Sequence, residues 1–179
     1  MASIAGKVLL LTGPPGAGKT TVAIELASRS ERGVHIESDR WFHAIVGGYI
    51  EPWLPEAHEQ NTLVMMIVAE AARGFATGGY STVVDGIFTP GWFLEPARDT
   101  LVDAGIEVSL AVLRPSAETA IHRRSSRLSP VPHEAIEQMQ GDFVELGPLE
   151  RHVFVNEDQD VAATVAMVAE AWRSGSIAM

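Results

Sequence analysis

Apolar positions in this chain follow two rhythms. Short apolar-rich runs at residues 8–11, 34–38 ("VHIES"), 80–86 ("YSTVVDG"), 107–115 ("EVSLAVLRP") and 152–156 ("HVFVN") have the length of buried strands. Between them, apolar residues recur at helical spacing. Val22, Ile24, Leu26 and Ala27 mark a helix over 19–29, and Leu63, Ile67 and Ala71 share one face of a long helix over 56–75. Further helices are predicted over 93–104, over 116–127 behind a serine cap, over 133–146, and over 160–173 with an amphipathic pattern. The segment 39–55 is aromatic and carries Gly47, Gly48, Pro52 and Pro55, which predicts a short helix followed by a loop. Strands alternating with helices imply right-handed crossovers and a mainly parallel sheet with helices on both faces. Ligands of such α/β sheets bind beyond the carboxyl ends of the strands. The P-loop region, Asp39, Asp85 and Arg114 all follow strands at that edge.

With 179 residues the chain predicts a single domain, 1–179. A net charge of −10 argues against a nucleic-acid backbone as main partner, though a small basic pocket stays open. The absence of cysteine rules out disulfides and thiolate chemistry and suits a reducing, cytoplasmic setting. Residues 1–11 read as a strand entrance without a signal-peptide pattern, and no run of 18 apolar residues offers a membrane span.

The chemistry begins where the first strand ends. Gly13 to Thr20 reads G-x-x-x-x-G-K-T between a strand and a helix, the context in which this pattern cradles triphosphate phosphates. Chance would supply the bare pattern in about one of a couple of hundred chains of this length, before that context is demanded. Gly13, Gly16 and Gly18 let the backbone turn N–H groups toward phosphate oxygens, and the helix adds its positive end. Pro14, Pro15, Ala17 and Thr21 complete the nucleotide-binding loop; Lys19 reaches the outer phosphates and the Thr20 hydroxyl ligates Mg²⁺.

Asp85 closes a strand as Val-Val-Asp-Gly, where a carboxylate can hold Mg²⁺ directly or through water, or where Asp-Gly simply makes a turn. Asp39 follows the second strand on the same edge and can take the proton of an attacking hydroxyl, with Glu37 as its local competitor. Ser38 or Asp39 can equally cap a helix. In "HRRSSR", Arg123 and Arg127 stand at i, i+4 and can meet charge developing on phosphate oxygens, or they form a solvated helix end. The six histidines, His35, His43, His58, His122, His133 and His152, show no metal-ligand spacing and carry no assigned chemistry. Met65 and Met66 read as packing residues.

"GPPGAGKT", "IESD", "VVDG" and "HRRSSR", in this order and spacing, resemble the small P-loop kinases: chloramphenicol phosphotransferase, gluconate kinase and shikimate kinase. "GDFVELGPLERHVF" is also similar to the late helix-to-strand segment of gluconate-kinase-like proteins. The resemblance spans nearly the whole chain. It implies a three-layer P-loop fold with a five-stranded parallel sheet in order 2-3-1-4-5, a small lid near 123–133, and transfer from ATP to a hydroxyl. The family's acid after strand two falls on Asp39, its lid arginines on Arg123 or Arg127, and its nucleotide-base contact near Asn156. The glycine triad of shikimate kinase is missing after strand three, where "DGIFTPGW" stands, and no acceptor signature is present.

Trp41, Phe42, Trp53, Trp92 and Phe93 follow strands two and three. With Asp39 they can wall a pocket for a small hydroxylated acceptor, or they pack beneath the long loop. The leading expectation is a kinase of a small hydroxylated molecule, using a nucleoside triphosphate and Mg²⁺. Its rival is a non-kinase ATPase or nucleotide-dependent switch, in which water is the nucleophile. A nucleic-acid end kinase is disfavoured by charge.

Overall fold

A computed structural model describes residues 6–125, 131–157 and 159–179. Strands β1 (Lys7–Thr12), β2 (Gly33–Glu37), β3 (Ser81–Asp85), β4 (Glu107–Leu113) and β5 (Val153–Phe154) pair in parallel in the order β2-β3-β1-β4-β5. The helices are α1 (Lys19–Ser28), α2 (Ser38–Phe42), α3 (His58–Thr77), α4 (Leu94–Val102), α5 (Ala117–Ser125), α6 (His133–Gly141) and α7 (Val161–Ser174).

Strand parity divides the core. Val8 and Leu10 of β1 join α3 and α4 on one side of the sheet, while Leu9 and Leu11 join α1 and α7 on the other. None of these four is more than 1% exposed, which explains why β1 lacks the apolar–polar alternation of a half-exposed strand. On β3, Val84 faces α3 and Val83 faces α1, so Asp85, two residues beyond Val83, also points to the α1 side.

The structure corrects one helix face. Leu63 and Ile67 do lie together on α3, but that face is turned to solvent, with Leu63 60% exposed. The buried stripe is Val64, Met65, Val68, Ala69, Ala72 and Ala76. Met65 packs as expected, whereas Met66 is exposed, as is Ile24 on α1.

His152 has a structural role. It is fully buried; one ring nitrogen meets the Leu110 carbonyl at 3.1 Å and the other accepts from Arg151 Nε at 3.0 Å. A ring that donates on one side and accepts on the other is neutral. Burial lowers its pKa below the ordinary histidine value, so the unfolded chain takes up the proton more readily. Stability from this residue is complete above about pH 6.5 and is lost as pH falls below that value and through the lowered folded pKa. Melting at pH 7.5 and 5.5 is therefore expected to show a drop in midpoint that shrinks in His152→Asn; an unchanged drop would remove this role.

Candidate active site at the carboxyl edge of the sheet

The loop after β1 is shaped by contacts that leave no room for side chains. A Cβ on Gly13 (φ 144°) would stand 2.2 Å from the Leu113 carbonyl oxygen, and one on Gly16 (φ 89°) equally close to that of Ala120. The loop is thus pressed between β4 and α5 while its N–H groups open α1. No acidic residue occupies the first turn of α1, which keeps the positive helix end available to an anion. Thr20 is half-buried at that end and Thr21 is exposed.

Lys19 does not stand free. Its Nζ donates to the carbonyls of Gly13 at 2.8 Å and Pro14 at 3.2 Å, curling over the loop. Burial lowers its pKa, and the charges of Asp39 and Asp85 oppose that shift. Asp39 sits in the first turn of α2 and is reached by solvent. Crowding by protein still raises its pKa; Lys19 counteracts this, while Asp85 and Glu37 reinforce it. One ammonium and two carboxylates, at the start of α1, in the first turn of α2 and at the end of β3, therefore lie within electrostatic reach of each other at the end of the sheet.

Neither Ser38 nor Asp39 is the helix cap, because α2 already begins at Ser38. Glu37, the competitor of Asp39, is tied to Arg40 at 2.5 Å. The Asp85-Gly86 pair is not a left-handed turn either. Gly86 lies where a Cβ would come 2.5 Å from Ser38 Oγ, so the glycine allows the end of β3 to touch the start of α2. The next loop is pinned to β1 by Phe88 N–H donating to Thr12 Oγ1 at 2.9 Å.

The remaining expected residues fall unevenly. Trp41 is exposed on α2, and Trp53 and Trp92 are half-buried, with Trp92 edge-on to Phe93 at 5.0 Å. Phe42 and Phe93 belong to the core rather than to an open wall. Asn156 is also buried: its Nδ2 donates to the Ala17 carbonyl at 2.9 Å, so this side chain braces the phosphate loop instead of presenting its amide to a base. Arg123 donates to the carbonyls of Asn156 and Glu157. Arg127, with the rest of residues 126–130 of the expected lid, lies outside the described residues. Arg114 is engaged elsewhere, in a two-pronged pair with Glu150 at 2.8 and 2.7 Å that holds the Glu150 carboxyl down to about 2. A groove of about 610 Å³ opens beside Pro14, lined by Arg114, Ser116, Ala120, Gln140 and Phe143. It flanks the phosphate loop on the β4 side, whereas Asp39 and Asp85 flank it on the β3 side.

Sequence reasoning missed His35. Its Nε2 lies 2.7 Å from Asp85 Oδ2, the two side chains only 17% and 5% exposed. Its place next to "IESD" was visible, but the pairing depends on the β2–β3 register.

Residues 8–146 match the AAA_33 family, described as an AAA domain. The chain belongs to that family. No curated protein sequence matches this AAA_33 domain. Among solved structures it is similar to a sugar kinase from Janibacter sp. HTCC2649, at 19% identity and TM-score 0.68 over 94% of each chain. It is similar to the Mycobacterium tuberculosis APS kinase CysC in complex with AMPPNP and APS, at 16% identity and TM-score 0.68 over 94% of this chain and 98% of the other. The Deinococcus radiodurans tunicamycin resistance protein matches at 16% identity and TM-score 0.65, again over 94% of each chain. At these identities the likeness carries the fold. The chain is thus an AAA_33 P-loop domain whose fold is shared with the sugar kinase and the APS kinase. Among the described residues, no helix is long and apolar enough to cross a membrane.

Proposed function

We propose that this AAA_33 domain is an ATP-dependent phosphotransferase that moves the terminal phosphoryl group to a hydroxyl of a small molecule. The observation that carries the reading is the convergence of Lys19, Asp39 and Asp85. A phosphate loop alone suits any nucleoside triphosphatase. Asp39, which makes no side-chain hydrogen bond among the described residues, stands beside the loop lysine and supplies what a hydroxyl nucleophile needs.

The residues fit Mg²⁺: Thr20 and Asp85 offer hard oxygen donors, and no group of three or more acidic or histidine ligands stands among the described residues. That suits an ion that keeps waters and phosphate oxygens as its other ligands. When bound, Mg²⁺ supplies neutralisation of phosphate charge. On this reading Lys19 leaves the Gly13 and Pro14 carbonyls for the outer phosphates, and the N–H groups from Gly16 to Thr20 hold the chain of phosphates in place. Asp39 accepts the acceptor's hydroxyl proton as the new O–P bond forms and the bond from phosphorus to the β-phosphate oxygen breaks, releasing ADP. Arg123 borders the nucleotide side from α5, anchored on the loop after β5.

Screening sugars, antibiotics, nucleosides and amino alcohols for stimulated ADP release tests this reading. A several-fold stimulation by one class is expected; a basal rate indifferent to every alcohol supports the rival ATPase or switch.

On this reading the acceptor sits against the segments after β2 and β3, where Trp41, Trp53 and Trp92 offer partly open aromatic surface and Phe42 and Phe93 are buried in the core. An acceptor that stimulates ADP release is expected to change tryptophan emission, and Trp41→Phe or Trp92→Phe to diminish the change. Trp172, on the buried face of α7, is 2% exposed, and Trp172→Phe should leave the change intact. A signal carried by Trp172 alone would misplace the acceptor.

A further inference from the structure

We infer that His35 is a positioning residue for Asp85: its ring holds one carboxylate oxygen so that the other is kept for the metal–nucleotide complex. The inference rests on the metal-holding role proposed for Asp85.

The geometry starts from strand parity. Val34 and Ile36 of β2 face the α3 side, which sends His35 and Glu37 to the α1 side. Parallel register sets His35 opposite Val83 and Glu37 opposite Asp85. His35 and Asp85 are thus diagonal neighbours on one face, within reach of a longer side chain. A carboxylate takes hydrogen bonds only as acceptor, so the proton of the 2.7 Å contact sits on His35 Nε2. Among the described residues this is the one hydrogen bond made by the Asp85 side chain.

Two consequences follow. Asp85 is almost fully buried, and a carboxylate in that position is costly without a partner. Its nearby opposite charge is Lys19, which belongs to the phosphate loop. Without the imidazole, Asp85 is drawn toward Lys19, and the metal-facing oxygen is displaced from its task. With Oδ2 held by His35, the carboxylate cannot swing about its terminal torsion, and Oδ1 keeps its direction. Donors behind ligating groups typically alter metal affinity about 10–100-fold when removed.

The test is binding of a fluorescent, non-hydrolysable ATP analogue at pH 8, with Mg²⁺ and with EDTA, in wild type, His35→Leu, His35→Gln and Asp85→Asn. Wild type is expected to bind more tightly with Mg²⁺. His35→Leu should reduce that enhancement by roughly tenfold while affinity in EDTA is unchanged. His35→Gln, whose amide nitrogen can reach the same oxygen, should restore most of it. If His35→Leu does not fold, His35→Asn, with an amide one bond shorter, replaces it as the loss variant. A wild-type enhancement in the loss variant overturns the inference. So does an equal loss with and without Mg²⁺, or a glutamine variant no better than the loss variant. Asp85→Asn separates the layers: full enhancement there overturns the role of Asp85 itself, and the inference about His35 with it.

Discussion

Lys19→Ala is expected to reduce phosphoryl transfer by at least about 10²–10³-fold, the scale of removing one preorganised donor to developing charge. The fold should hold. Lys19 is half-buried and among the described residues bonds only to two carbonyls of its own loop, and burial already disfavours its charge. Losing those bonds is offset by removing an ammonium that the site desolvates, so the melting midpoint should move little. Steady-state turnover beside a thermal melt checks both halves. Wild-type-like turnover would show that the loop binds nucleotide without taking part in transfer.

The second large effect belongs to Asp39. Asp39→Asn keeps the shape of the side chain and removes its ability to take a proton. Acceptor phosphorylation is expected to fall by roughly 10²–10⁴-fold, the usual contribution of a positioned base. Affinity for ATP should stay within a few-fold. Stability should move the other way. Burial raises the Asp39 pKa above its unfolded value, so the folded chain holds this proton more tightly than the unfolded one. Its contribution to stability is then complete at pH values below the unfolded pKa and is lost as pH rises through the raised folded value. At neutral pH the ionised carboxylate is the unfavourable form, and asparagine should melt no lower than wild type. Activity in the wild type should decline as pH falls through the raised value, because the protonated acid cannot act as base. An Asp39→Asn protein with normal acceptor turnover, or with ATP affinity lost in parallel, would make Asp39 a structural or metal-binding group.

Local signals were read well. The continuous apolar run of β1, the glycine loop and the α1 periodicity lie within twenty residues, and each constrains the next. The order of the strands came from resemblance to P-loop kinases, since no local pattern states which strands are neighbours. Faces were harder where apolar residues surround a helix. In α3, residues 63–68 are all apolar, so spacing could not choose between Leu63 with Ile67 and Val64 with Val68; the alanines further along mark the buried stripe.

The site was legible where chemistry resides in a motif and opaque where it resides in a pairing. Lys19 and Asp39 follow strands and Asp85 ends one, and the topology brings them to one edge of the sheet. His35 was overlooked because its partner lies fifty residues away across a strand register. Asn156 and Arg123 have backbone carbonyls as partners, and such contacts leave no mark in a sequence. Phe42 lay among exposed aromatic residues in the chain, yet a five-residue helix turns it inward.

The most direct test of the account is the fate of the transferred group. With ATP labelled in its terminal phosphate, Mg²⁺ and an acceptor that stimulates ADP release, label should appear in a phosphate ester of that acceptor. Transfer should require both Lys19 and Asp39. Label recovered only as inorganic phosphate, at a rate unaffected by any hydroxylated acceptor and by Asp39→Asn, would contradict it.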